Sequence, residues 1–107
     1  MQYEMPIAFK KACRNLGQDI VANSDIALAL DPMARIAEVA LTGIELSDAE
    51  KIRDYLSQVL KAPLSLSDIN DLWHSTPAEV YFHRPDDVMR FLQALYERLS
   101  VPPYVAD

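Results

Sequence analysis

Apolar residues recur at intervals of three and four along most of the chain, with polar residues between them. This spacing places apolar side chains on one face of a helix, so it predicts amphipathic α-helices in five stretches. Their apolar faces are Phe9, Ala12, Cys13, Leu16 and Ile20; Met33, Ile36, Ala37 and Ala40; Ile52, Tyr55, Leu56, Val59 and Leu60; Ile69, Leu72 and Trp73; and Val88, Phe91, Leu92, Leu95, Tyr96 and Leu99.

Proline and serine residues indicate where these helices begin. Pro6 and Pro32 suit a first helical turn, because that turn does not use the backbone N–H that proline lacks. Ser47 and Glu50 have the spacing of a capping box, in which each side chain binds a free backbone N–H at the helix start. Ser67 predicts a second serine cap, at the start of the fourth helix.

The ends of the helices are predicted from residues that favour turns. The first helix is expected to run to the sequence ANSD at 22–25, and Gly43 and Pro63 should stop the second and third. The run DIALAL at 25–30 alternates like a strand, but its alanines favour helix, so both interpretations stay open. The run EVYFH at 79–83 is the most strand-like part of the chain.

The length and composition agree with one small helical domain. A chain of 107 residues argues for a single domain with one modest core. Its hydrophobic content of 50% is too high for a disordered chain, and its two glycines are few for a fold rich in hairpins. We therefore predict a predominantly all-α fold, a single compact domain of about five helices over residues 1–107, with room for one very short strand at 79–83.

Charge and cysteine content narrow the classes of partner. The formal net charge is −6, and an acidic protein repels the phosphate backbone, so we expect no direct nucleic-acid partner. The single cysteine, Cys13, excludes an internal disulfide and fits a reducing compartment. No apolar run has the length of a membrane span, and the N-terminal residues do not resemble a secretory signal. The expected location is the cytoplasm, without a membrane partner.

No arrangement of residues indicates catalysis, so we expect neither an enzyme nor a small-molecule substrate, cofactor or metal. Cys13 lies on an apolar helix face, where a reactive thiolate is disfavoured. The strongest chemical alternative is a metal site, because Asp71 and His74 are three residues apart and Glu79 and His83 are four apart. Pro77 interrupts a continuous helix between the two pairs, which argues against that site.

Acidic residues are concentrated in the middle of the chain. Residues 44–87 contain nine carboxylates against four basic side chains. One interpretation is a solvated acidic face, and the other is a docking surface for a basic protein, since opposite charge speeds encounter. Trp73 is similarly interpreted as a core residue, with an interface anchor as the alternative. The candidate binding residues, chosen because no helix-capping role is evident for them, are Asp54, Asp68, Asp71, Glu79 and Asp87.

Three stretches carry a resemblance to a known family. They are SDAEKIRDYLSQVL, LSDINDLWHSTPAEVYF and DDVMRFLQALYERL, and together they span residues 46–99, about half the chain. Their order is similar to that of the small immunity proteins of contact-dependent growth inhibition systems. The shared features are SDAE opening a helix, LSD followed by LW, a Ser/Thr-Pro step before an aromatic residue, and FL in the last helix.

The resemblance implies a non-enzymatic protein that binds the C-terminal toxin domain of a cognate secreted effector and blocks it in the cytoplasm. Many such toxins are nucleases with basic clefts, which would suit an acidic partner surface. Two other classes stay open on the residues alone. One is a helical adaptor, antitoxin-like or phage-derived interaction module, and the other is a small metal-dependent enzyme.

Overall fold

The computed structural model describes residues 5–16, 32–78, 82, 85–102 and 104–105, and these ranges contain five α-helices and no strand. The predominantly all-α fold predicted from the sequence is confirmed. The helices are α1 (Ile7–Arg14), α2 (Pro32–Ala40), α3 (Leu46–Lys61), α4 (Leu66–His74) and α5 (Pro85–Leu99).

The helix α5 is the centre of the arrangement. It packs against α2, α3 and α4, while α1 packs against α3 and α2. The Cα radius of gyration is 13.1 Å, close to the value of about 13 Å that is typical of a domain of 100 residues. One compact globule therefore forms around α5, which packs against three neighbouring helices.

The predicted apolar faces form the core. Of the residues predicted from the pattern, all but three of those that the structure describes are buried. The three exceptions, Met33, Leu60 and Tyr96, are partly buried and pack against the core. No buried side chain in the described ranges is charged. The largest fully buried side chains are Phe9, Phe91, Leu16, Ile52, Leu56, Ile69, Leu92, Leu95, Leu99, Val59, Val88 and Cys13.

Three aromatic rings tie α4 to α5. The ring of Trp73 lies 5.2 Å from that of Phe82 and 5.4 Å from that of Phe91, and the two phenylalanine rings are 5.8 Å apart. Tilted and edge-on rings at these separations attract each other beyond the burial of their area. Trp73 is only 4% exposed, which supports its interpretation as a core residue.

The start of α3 differs from the prediction. The helix begins at Leu46, the flanking residue is Glu45, and no side chain caps it. The backbone N–H of Ala49 donates to the carbonyl of Glu45 at 2.8 Å, so the helix is already formed where Ser47 was expected to stand outside it. The predicted capping box of Ser47 and Glu50 is therefore wrong, because both residues lie within the helix.

A capping box does form, at the start of α4. Ser65 Oγ accepts from the backbone N–H of Asp68 at 3.1 Å, and Asp68 Oδ2 accepts from the backbone N–H of Ser65 at 3.1 Å. The predicted cap at Ser67 is wrong, because the helix begins at Leu66 and Ser67 is already inside it.

The first helix is shorter than predicted. It ends at Arg14, and Asn15 turns away to donate its side-chain amide to the carbonyls of Ala40 at 2.8 Å and Thr42 at 2.9 Å. Carbonyls at a helix end lack intrahelical partners, so Asn15 satisfies the end of α2. Gly43 follows with a φ of 73°, a conformation that glycine adopts without strain, and it stops α2 as predicted.

Two open points of the sequence prediction fall outside the described ranges. One is whether residues 25–30 form a helix or a strand, and these residues lie outside the described ranges. The other is the possible strand at 79–83, which also lies outside these ranges except for Phe82, and Phe82 is not part of a strand.

We expect Trp73→Ala to lower the free energy of unfolding by about 3–5 kcal/mol, because truncating a buried aromatic side chain removes its transfer energy and leaves a cavity. Urea unfolding measures the change. Ile7→Ala is the matched control, since Ile7 is 81% exposed and surface truncations stay within about 0.5 kcal/mol. The same loss in both variants, or no loss in Trp73→Ala, would contradict the aromatic core.

A second stability prediction distinguishes Ser65, which caps α4, from Ser47 and Ser67, which lie inside helices. Ser65→Ala should cost about 1 kcal/mol, because it leaves a backbone N–H at the start of α4 without its cap. Ser47→Ala and Ser67→Ala are matched controls, since both are exposed positions inside helices, where alanine is favoured. Urea midpoints decide the matter, and a loss at Ser47 equal to that at Ser65 would restore the original capping prediction.

Candidate binding surface

The predicted binding carboxylates lie on three helices and do not form one cluster. Asp54 is on α3, Asp68 and Asp71 are on α4, and Asp87 is in the first turn of α5. Glu79 lies outside the described ranges. The helix α4 packs on α5, and α3 packs on α5 and α1, so Asp54 and Asp71 are carried by different helices.

Two of these carboxylates have local roles. Asp68 completes the capping box with Ser65, so its selection as a residue without a capping role was wrong. Asp87 lies near the positive end of α5, and its Oδ1 is 3.8 Å from the guanidinium of Arg90. Local helix stability is sufficient to explain both residues.

Asp54 and Asp71 are the free carboxylates of the predicted set. Both side chains are exposed, and neither has an ion pair with another described residue. No lysine or arginine occurs from 62 through 83, so the basic side chain nearest to Asp71 along the chain is that of His74, in the last turn of α4. The helix α4 therefore carries two carboxylates, Asp68 and Asp71, and no lysine or arginine.

Basic charge is concentrated elsewhere. The short helix α1 carries Lys10, Lys11 and Arg14 and no acidic residue. Lys11 Nζ lies 3.9 Å from the carboxylate of Asp48, which joins α1 to the first turn of α3. An exposed pair at this separation contributes little stability, so most of the positive charge of α1 remains available at the surface.

Asp54 also lines a shallow depression of about 280 Å³, open to solvent. Lys51, Asp54, Tyr55 and Gln58 form one stripe of α3 along it, and Pro6 lines it from the start of α1. This is the arrangement that sequence reasoning missed. The helical spacing of the four α3 residues could be read from the sequence, but no local signal places Pro6 beside them.

Two buried side-chain groups, the Cys13 thiol and the Tyr55 hydroxyl, have raised pKa values. The Cys13 thiol is buried, which raises its pKa to about 12, although a hydrogen bond with the Thr76 side chain acts in the opposite direction. Burial, with a smaller effect of the nearby Cys13, raises the pKa of Tyr55 to about 12. The Tyr55 hydroxyl is buried and has no hydrogen-bond partner among the described residues. A neutral, buried thiol is a core group and a poor nucleophile.

The described residues contain no group of three histidine, cysteine, aspartate or glutamate side chains that could hold a metal ion. Of the two predicted metal-binding pairs, Asp71 and His74 lie on α4, whereas Glu79 and His83 are outside the described ranges. Separately, none of the helices that the structure describes is long and apolar enough to cross a membrane.

Comparison with protein-family models, with curated proteins and with solved structures finds no match for this chain.

The buried thiol and phenol predict a loss of stability at high pH. Unfolding returns both groups to ordinary pKa values of 9.0 for Cys13 and 10.0 for Tyr55, so the unfolded chain loses these protons first. Stability is therefore fully present below pH 9 and falls as the pH rises toward 12, by up to about 1.4 kcal/mol per pH unit from each group.

Urea unfolding at pH 7, 9 and 10.5 measures this loss. The double variant Cys13→Ala, Tyr55→Phe is the control: its stability at pH 7 differs, but its decline between pH 9 and 10.5 should be shallower. Equal declines in the two proteins would mean that other groups, such as lysines, cause the whole effect.

Proposed function

We propose that this protein is an immunity protein, which binds the basic C-terminal toxin domain of a contact-dependent growth inhibition effector and neutralises it in the cytoplasm. The single observation that supports a basic partner most strongly is the acidic outer face of α4. Its carboxylate Asp71 is exposed and unpaired among the described residues, and no lysine or arginine occurs from 62 through 83.

Unpaired carboxylates on α4 would attract a basic partner. Carboxylates on a protein surface raise the local concentration of a basic partner and speed its encounter, an effect that falls as salt is added. A partner that brings cations to α4 meets no lysine or arginine on that helix. The aromatic packing of Trp73 fixes α4 on α5, so its carboxylates are presented on a fixed helix.

A helical adaptor is the second candidate, and one observation favours it. A shallow groove of about 350 Å³ lies between α2 and α5. Flexible methionine side chains are common on surfaces that bind apolar partner helices. The groove is lined by Met33, Met89, Arg90, Gln93, Ala94 and Glu97.

The experiment that tests the proposal uses the neighbouring gene. The C-terminal domain encoded by the gene immediately upstream is produced together with this protein, and both complex formation and protection of growing cells are measured. A stable complex with protection is the expected result. Lack of both, with this protein folded, would remove the immunity proposal and leave the adaptor as the better candidate.

Charge reversal locates the surface. We expect Asp71→Lys to slow association with the toxin domain by about 3- to 10-fold at low salt, because it removes attraction and adds repulsion at the same point. Stopped-flow or surface-based kinetics at low and high salt provides the rates, and added salt should slow the parent protein as well.

Glu38→Lys is the matched control for this variant. It makes the same change in net charge at an exposed carboxylate outside residues 44–87, and its ion pair with Arg35 is also exposed. If both variants slow association equally, only the net charge matters. If neither does and salt has no effect, the acidic face is a solvated surface.

A further inference from the structure

We propose that two copies of this chain associate through the shallow groove between α2 and α5, with their α5 helices antiparallel about a two-fold axis. This inference goes beyond the proposed function, because it concerns how copies of the chain meet one another and not what toxin domain they bind. It depends on the lining of the groove, which combines apolar side chains with two opposite charges.

The apolar part of the groove comes from both helices. Met33 on α2 and Met89 and Ala94 on α5 are partly buried against the core, and they line a space of about 350 Å³. Burial of the exposed part of these side chains would be favourable. Methionine adapts its shape to a partner, and a small alanine lets a second helix approach closely. The groove therefore suits a helix.

The charged part of the groove indicates which kind of helix fits. Arg90 and Glu97 are exposed and lie two turns apart on α5, with Gln93 and Ala94 between them on the same stripe. A helix that pairs with both charges has a carboxylate opposite Arg90 and a cation opposite Glu97, at the same two-turn spacing. The occupant should therefore carry the two charges in the reverse order.

The α5 helix of a second copy has that order when it runs in the opposite direction. A two-fold axis that passes between Gln93 and Ala94 places Arg90 of each copy opposite Glu97 of the other, because the two residues are equally far from the axis. Two ion pairs then form at once, and the same symmetry brings the two grooves face to face. The chain thus supplies its own complement.

Contacts within one copy leave both charges available. Arg90 Nη1 lies 3.8 Å from Oδ1 of Asp87, and 72% of the Arg90 side chain is exposed. The side-chain amide of Gln93 donates to Oε1 of Glu97 at 3.3 Å. A guanidinium has five N–H donors and a carboxylate accepts from several groups, so each can bind a second copy without losing its local contact.

The contact is short, so we expect a weak dimer. It spans about two turns of α5, roughly 11 Å along the helix axis, whereas permanent dimers have larger and more apolar interfaces. Exposed ion pairs contribute little each and are weakened by salt. Association should therefore become measurable as the protein concentration rises toward about 1 mM, and it should decrease when salt is added.

Sedimentation equilibrium over this range of concentrations tests the inference. The weight-average mass of the parent protein should rise from the 12.1 kDa of one chain toward twice that value. Arg90→Glu and Glu97→Arg should each raise the dissociation constant by about 10-fold or more, because each places like charges opposite each other at two positions. Asp54→Arg makes the same change in net charge as Glu97→Arg at an exposed carboxylate of α3, and it should dimerise like the parent.

An equimolar mixture of the Arg90→Glu and Glu97→Arg variants separates charge pairing from damage to the fold. A mixed dimer brings opposite charges together at both positions, so the mixture should regain the dimer that neither variant forms alone. A parent protein that stays monomeric up to about 1 mM would reject a second copy as the occupant and leave the groove to a partner helix. Dimers that persist in both single variants, or a mixture without rescue, would overturn the pairing of Arg90 with Glu97.

Discussion

Three of the other four described helices pack on α5, so burial of its apolar face is the interaction on which the described fold depends. Phe91, Leu92 and Leu95 on that face are inaccessible to solvent. Each neighbouring helix is amphipathic and has between nine and sixteen residues, a length at which an isolated helix is marginal in water. Their stability therefore comes from burying one face against α5 and not from helix propensity alone.

The helix ends are closed by residues distant in the sequence. Asn15 binds the last carbonyls of α2, and the guanidinium of Arg53 on α3 lies 3.4 Å from the carbonyl of Leu99 at the end of α5. At the same end, Arg98 lies 5.1 Å from the centre of the Tyr104 ring, within the range of a cation–π contact. The contacts of Asn15 and Arg53 form only when the helices are packed, so they couple these helix ends to the tertiary structure, whereas the contact of Arg98 with Tyr104 is local.

The parts of the fold that the sequence could predict are those set by local pattern, and the parts that it could not predict depend on tertiary contacts. The apolar periodicity reports which side of a helix must be buried, and all but three of the predicted core residues that the structure describes are buried. Capping depends on the exact residue at which the helix begins. Ser47 and Ser67 have suitable chemistry, but each lies one residue inside its helix, whereas Ser65 lies just outside one. The early end of α1 depends on Asn15 reaching α2, which no local pattern contains.

The same distinction holds for the candidate binding surface: some of its features could be predicted from the sequence and others could not. Composition correctly indicated an excess of carboxylates in 44–87, but it could not assign Asp68 to a cap or bring Pro6 beside Asp54. Those assignments require the helix start and the packing of α1 on α3. Sequence alone therefore predicts the sign of the surface charge better than the location of each charged group, because charge adds along the chain whereas location depends on tertiary contacts.

The short helix α4 joins stability to the proposed function. Its inner face carries Trp73 and its outer face carries Asp71, two residues earlier. With nine residues it would not hold its shape alone, so the position of the carboxylate depends on the aromatic packing. A variant that loosens Trp73 should therefore lower apparent binding by reducing the folded population, even without any contact between Trp73 and the partner. Binding of such a variant, corrected for its folded fraction, separates that indirect effect from a direct role of Trp73 in the interface, for which the corrected affinity would also fall.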